Sequence, residues 1–138
     1  MKKIIVLAMS LCLILGLSAC SKEGSVSSNL KVTEVPSEIY SKKDIEEAMD
    51  VVKQSFSSEF SNCTLEAMSY GSDERVYEWK DYYHKEDKNL DYILIDVTFH
   101  TGSLDRSQTL NENSTYDWTC SLVKYDHGQW EVEDFGFL

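Results

Sequence analysis

The chain has 138 residues, with 13 Lys and Arg against 24 Asp and Glu, a formal net charge of −11. That length allows one domain with an ordinary core and excludes two. The acidity disfavours nucleic acid, whose affinity rests on neutralising phosphates, and leaves cationic ligands, divalent metals or basic partners within reach.

Met1-Lys2-Lys3 opens onto Ile4–Ala19, a run that is apolar apart from Ser10, Gly16 and Ser18. Its sixteen residues reach roughly 24 Å as a helix, short of the roughly 30 Å hydrocarbon core. A basic start, an apolar run and a small-residue close form the layout of a secretory signal. The closing Leu17-Ser18-Ala19-Cys20 resembles the lipobox of bacterial lipoproteins. That resemblance implies cleavage after residue 19 and diacylation of the Cys20 thiol. Two acyl chains, at about 0.8 kcal/mol per buried CH2, suffice for stable anchoring. The expected location is the extracytoplasmic face of a cell membrane, that of a Gram-positive bacterium, with the lipid as anchor. Removing residues 1–19, whose only charges are Lys2 and Lys3, leaves 119 residues and moves the balance from −11 to −13.

Cys12 then leaves with the signal and Cys20 is acylated, so Cys63 and Cys120 remain. A disulfide between them suits that compartment and, closing a loop of roughly sixty residues, would stabilise by about 4 kcal/mol. Both sit in apolar, strand-like contexts, so two buried free thiols are the alternative.

Residues 20–36 read as a flexible tether, because Ser21–Asn29 is polar and rich in serine. Leu30–Val35 alternates loosely and can form a short strand before Pro36, the only proline. A helix starts at Ser41, where Ser41 and Asp44 form a capping-box pair. Ile45, Ala48, Met49, Val52, Phe56 and Phe60 make one apolar stripe on it, and Asn62 suits its end. Strands are expected at Cys63–Tyr70, Tyr92–Phe99, Tyr116–Tyr125 and Trp130–Phe135, with a short second helix over Asp73–Tyr83. Asp126-His127-Gly128-Gln129 offers a hairpin turn in which Gly128 is free to take positive φ. Residues 102–114 are polar and read as a loop. A helix followed by an antiparallel meander buries its stripe across one sheet face. The expected fold over residues 37–138 is therefore α+β, a long N-terminal helix packed on a four-stranded antiparallel sheet.

Certain runs carry a family resemblance: Ile39-Tyr40-Ser41, Asn62-Cys63-Thr64-Leu65, Tyr116-Asp117-Trp118, Leu122-Val123-Lys124 and Gly128–Gly136. With these the chain resembles a group of small Gram-positive lipoproteins whose fold is nuclear-transport-factor-2-like, or cystatin-like. The resemblance implies that fold and no catalytic residues.

No zinc spacing, EF-hand loop, phosphate-cradling glycine motif or nucleophile elbow occurs, so neither a metal nor a cofactor is implied. His84 lies in a charged run that reads as exposed, and His127 in the turn reads as solvated. Asp96 interrupts an apolar strand and could act as a base if buried, with His100 four residues on and so on the same face. The plainer expectation puts Asp96 on the solvent face or against Lys124 or Arg106. Exposed aromatics among Trp79, Tyr82, Tyr83, Trp118, Tyr125, Trp130, Phe135 and Phe137 could bind a glycan, a peptide or a small apolar molecule. The expected function is that of a membrane-anchored binding module for an envelope protein, peptide or small ligand, without nucleic acid. Its contact surface would be the concave sheet face or the region of Tyr82, Tyr83 and His84. A small pocket enzyme using Asp96 or His100, and an inhibitory lipoprotein directed at a basic secreted protein, are the competing expectations.

Overall fold

The computed structural model describes residues 22–104 and 109–136. Residues 1–19, Cys20, Arg106 and Phe137, which figure in the sequence reading, lie outside them. The elements run β1 (Ser25–Thr33), α1 (Lys42–Glu59), β2 (Cys63–Tyr70), α2 (Asp73–Tyr83), β3 (Leu90–Thr101), β4 (Thr115–Tyr125) and β5 (Glu131–Gly136). The strands form one sheet in the order β1-β2-β3-β4-β5. β1 pairs with β2 in parallel, and the other three pairings are antiparallel.

This corrects the expected architecture. The sheet has five strands and is mixed, and two short helices serve it, where one long helix on four antiparallel strands was expected. The extra strand comes from the stretch read as a tether. Val26 and Leu30 are half-buried against the core, while Ser28 and Asn29 between them are exposed. A strand at a sheet edge needs only that much apolar surface. Because α1 carries the chain back across the sheet before β2 begins, β1 and β2 run the same way, as a crossover connection requires. Their register slips between Val26 and Lys31, so pairing holds at both ends of β1 and lapses in the serine-rich middle.

The chain ahead of β1 is also ordered by α1. The Gly24 amide donates to the Ser57 carbonyl at 2.9 Å, and the Asn62 amide donates to the Lys22 carbonyl at 2.8 Å. The first bond satisfies a carbonyl that a helix C-terminus leaves without an intrahelical partner. A Cβ on Gly24 would stand 2.6 Å from the Phe60 oxygen and 2.7 Å from that of Phe56, so only glycine allows this approach.

α1 begins as its sequence requires. Ser41 Oγ accepts from the Asp44 amide, and the Asp44 carboxylate accepts from the Ser41 amide, both at 3.1 Å. Ala48, Met49, Val52 and Phe56 bury its stripe. Phe60 caps the helix and stacks on Phe56, with Phe99, Trp118 and Phe135 set edge-on around it. Asn62 takes φ 58° in the link to β2.

Pleating sorts the sheet. Ile93, Ile95, Val97 and Phe99 of β3 share the α1 face, whereas Tyr92, Leu94, Asp96, Thr98 and His100 point the other way. α2 covers only part of that second face, over Tyr92 and Leu94. Coverage on both sides explains why β3 reads as a nearly unbroken apolar run. The uncovered part is polar and is tied across strands by side-chain hydrogen bonds: Ser25 with Thr64, Thr98 with Asp117, and His100 with Thr115. Such cross-strand pairs hold a sheet where no apolar layer does.

The β4–β5 turn closes with the Gly128 amide donating to the Tyr125 carbonyl at 2.8 Å. Positive φ falls on Asp126 (49°) and His127 (58°), and Gly128 does not carry it as expected. Positive φ at both central residues is the geometry of a two-residue turn matched to strand twist.

Cys63 and Cys120 are free and buried. Cys63 pairs with Thr101 and Cys120 with Ile95, on strands flanking β3. Six positions along β3 separate the two rows, about 20 Å, far beyond the roughly 7 Å between Cα atoms that a disulfide tolerates. Of the two readings of this pair, the structure holds the buried free thiols.

Candidate functional site

Asp96 lies in a row that runs Ser69, Asp96, Thr119 across three strands, on the face opposite α1. Arg75, in the first turn of α2, reaches down to it. Its Nη1 donates to Asp96 Oδ2 at 2.7 Å, its Nη2 donates to Thr119 Oγ1 at 3.1 Å, and Thr119 Oγ1 donates to Asp96 Oδ1 at 2.7 Å. Both carboxylate oxygens are therefore engaged, one by a full charge. The side chain of Asp96 is 37% exposed and that of Arg75 32%. Asp96 borders an open hollow of about 410 Å³ with Thr33, Thr98 and Asp117 on its walls.

A general base needs a lone pair free to meet the substrate proton. Asp96 has spent its two oxygens on Arg75 and Thr119, in a shallow hollow open to water. His100 shares its face but stands four residues along the strand, about 13 Å away, where Nδ1 meets Thr115 Oγ1 at 3.1 Å. The two do not form an acid–base pair. Lys124 is on the other face, with its ammonium 4.4 Å over the Trp130 ring, so it is not the counter-charge of Asp96. Arg75 takes that role. The sequence carries only Arg75 and Arg106 as arginines, and placing Arg75 at the start of a helix that packs on the sheet was the signal available for finding it.

Another concavity lies elsewhere. A cleft of about 470 Å³ opens between the β1–α1 connection and α1, with Val32, Val35, Pro36, Ile45, Met49 and Tyr70 among its walls. Its phenols are engaged: Tyr40 donates to the Tyr92 carbonyl at 2.8 Å and Tyr70 to Asp73 Oδ1 at 2.7 Å. Burial pushes both hydroxyls well above the usual tyrosine range, with nearby carboxylates adding to it. Neither phenol is then a ready proton donor at neutral pH. The rim is closed by an ion pair of 2.7 Å between Lys42 and Glu34.

His84 departs from expectation. Its side chain is only 11% exposed and lies against the Tyr92 ring, with Nδ1 3.4 Å from Asp87 and Nε2 2.9 Å from Glu133. This ties the end of α2 to β5. Glu133 can reach it because the β4–β5 register shifts between Ser121 and Leu122, leaving Glu133 as the extra residue of a bulge. Tyr92 is pushed up to about 12, first by its burial and then by Glu133, Tyr83 and Asp134 around it. Nothing in the local sequence signalled this contact, because its partner is 49 residues away. His127 is exposed in its turn.

The outer surface of α2 is unusual in what it shows to water. Five large hydrophobic side chains are exposed among the described residues, and three stand on this helix: Tyr77 at 61%, Tyr82 at 78% and Tyr83 at 53%. Glu74, Glu78 and Asp81 lie between Tyr77 and Tyr82 at helical spacing, while Val76 and Trp79 turn inward. Trp79 stacks under Tyr83 at 5.4 Å and fixes that ring, and Tyr82 meets Tyr83 edge-on at 4.8 Å.

Comparison with protein-family models, with curated proteins and with solved structures finds no match to this chain.

Proposed function

We propose that this chain is a lipid-anchored, extracytoplasmic binding module that makes its contact through the exposed tyrosines of α2. The observation that carries the reading is the exposure of three tyrosines distributed around this one short helix, Tyr77, Tyr82 and Tyr83. Tyrosine offers large contact area at little cost in conformational freedom, and it is enriched where proteins meet. The neighbouring acids suit a partner that brings lysine or arginine. The engagement of Asp96 by Arg75 and Thr119 speaks against the pocket-enzyme alternative. The lipobox-like Leu17–Cys20 supports the anchor and the location.

Two measurements test the reading. Metabolic labelling with a fatty acid should mark the chain and should fail for Cys20→Ala. A photo-crosslinking residue at Tyr82, compared in intact cells with one at Glu47 on the outer face of α1, should give a discrete adduct at 82 and none at 47. Equal or absent adducts at the two positions would remove α2 as the contact face.

A further inference from the structure

We infer that the folded domain is seated directly on the bilayer by the end that carries Lys22, Asn62 and Gly102, with no free tether between lipid and fold. This rests on the acylation of Cys20 proposed above. Ordered backbone contacts begin at Lys22, whose carbonyl accepts from the Asn62 amide at 2.8 Å, and continue with the Gly24 amide on the Ser57 carbonyl at 2.9 Å. Only Ser21 separates Lys22 from Cys20. Two Cα steps span at most about 7 Å. With about 3 Å more for the cysteine side chain, a thiol whose diacylglyceryl group lies at headgroup level holds Lys22 within about 10 Å of the membrane surface.

The topology says which parts follow it. β1 and β2 start at this end and β3 finishes here, where the Gly102 amide donates to the Asn62 carbonyl at 2.7 Å and the Asn113 amide to the Gly102 carbonyl at 3.2 Å. The other end holds the start of α1 and the Tyr125–Gly128 turn. The 12 residues of β3 connect the two ends, a span of about 36 Å. A mature balance of −13 is repelled by an anionic leaflet. The domain accordingly stands on its Lys22 end and does not lie flat, so the cleft beside Tyr40 and Tyr70 faces away from the lipid.

The test uses the full, processed chain reconstituted in vesicles of phosphatidylethanolamine and phosphatidylglycerol. A fluorophore is placed at Ser103→Cys near the inferred seat or at Gln129→Cys at the opposite end; both positions are exposed, and Cys63 and Cys120 are buried. Quenching by headgroup-spin-labelled lipid should be at least about threefold stronger at 103 than at 129, because the sites differ by roughly 36 Å in height. Inserting about ten Gly and Ser residues between Ser21 and Lys22 adds roughly 18 Å of reach and should bring the value at 103 down toward that at 129. Equal quenching at the two sites in the chain of native length, or no effect of the spacer, overturns the inference while the anchor stands. A mass for the N-terminal peptide without diacylglycerol overturns both.

Discussion

Asp73 joins three parts of the fold through one carboxylate. Ser37 Oγ donates to Oδ1 at 2.6 Å, the Glu38 amide to Oδ2 at 2.7 Å and the Tyr70 hydroxyl to Oδ1 at 2.7 Å. The β1–α1 connection, the end of β2 and the first turn of α2 thus meet at one group. Asp73→Ala removes the acceptors of all three bonds. The Ser37 and Glu38 donors lie near the surface and recover water, so each costs about 0.5–1 kcal/mol, while the Tyr70 hydroxyl, on a residue only 2% exposed, costs about 1–2 kcal/mol. The expected loss is about 3 kcal/mol, a large part of the roughly 5–15 kcal/mol that holds a domain together. Urea unfolding should show it as a lower midpoint at unchanged slope. Tyr70→Phe should cost about 1 kcal/mol, and the double variant less than the sum, because both remove the same bond. A loss below about 0.5 kcal/mol for Asp73→Ala, or strict additivity with Tyr70→Phe, would refute the junction. The pH dependence follows from the same contacts. Burial works against the charged form, but the Ser37, Glu38 and Tyr70 donors outweigh it and hold the Asp73 carboxyl below the usual carboxylate range. A depressed pKa gives stability that is complete above the unfolded value near 4 and is lost as pH falls through the folded one. Acid unfolding of Asp73→Ala should therefore be less steep below about pH 4 than that of the unaltered chain.

Other substitutions test other contacts. Arg75→Met and Asp96→Asn should each lower stability by about 1 kcal/mol, discounted for exposure of roughly a third, and the double variant should be no worse than either; additive losses in unfolding would show that the pair is not coupled. Gly24→Ala forces the Phe56 and Phe60 carbonyls away from the start of β1 and should cost about 1–3 kcal/mol, visible as faster hydrogen exchange at the Asn62 amide; unchanged exchange there would mean the N-terminal contact is dispensable. His84→Ala removes the link from α2 to Glu133 and should cost about 1–2 kcal/mol, with exchange rising in α2 and staying level in α1. A uniform rise in both helices would argue against a local tie.

Much of the secondary structure was legible because it rests on local rules. The Ser41–Asp44 capping box, the Ile45–Phe60 stripe and the alternation in β4 are each written within a single helix or strand. The second helix was visible in the spacing of Val76, Trp79 and Tyr83. What could not be read depends on distant partners. β1 is a weak strand on its own, with Ser25, Ser27, Ser28 and Asn29 in its first half, and it exists because β2 supplies its pairing and the end of α1 holds the chain just ahead of it. The engagement of Asp96 needed the position of Arg75 on a helix packed over the sheet, and the burial of His84 needed a bulge at Glu133 on another strand. The turn at Asp126 and His127 shows a smaller misreading. Glycine tolerates positive φ most easily, but the chain places that conformation on the two residues before Gly128.

The separation of Cys63 and Cys120 also bears on how the chain is made. In an oxidising compartment an unfolded chain can close a loop between these thiols, and the finished sheet, with β3 between them, cannot accommodate that loop. Burial raises the pKa of both thiols, most strongly at Cys120, so the folded state offers little thiolate for exchange. At the extracytoplasmic location proposed above, folding and oxidation would be in a race. Seating β3 between β2 and β4 decides it, and a chain oxidised before that step has to be reduced before it can complete its sheet.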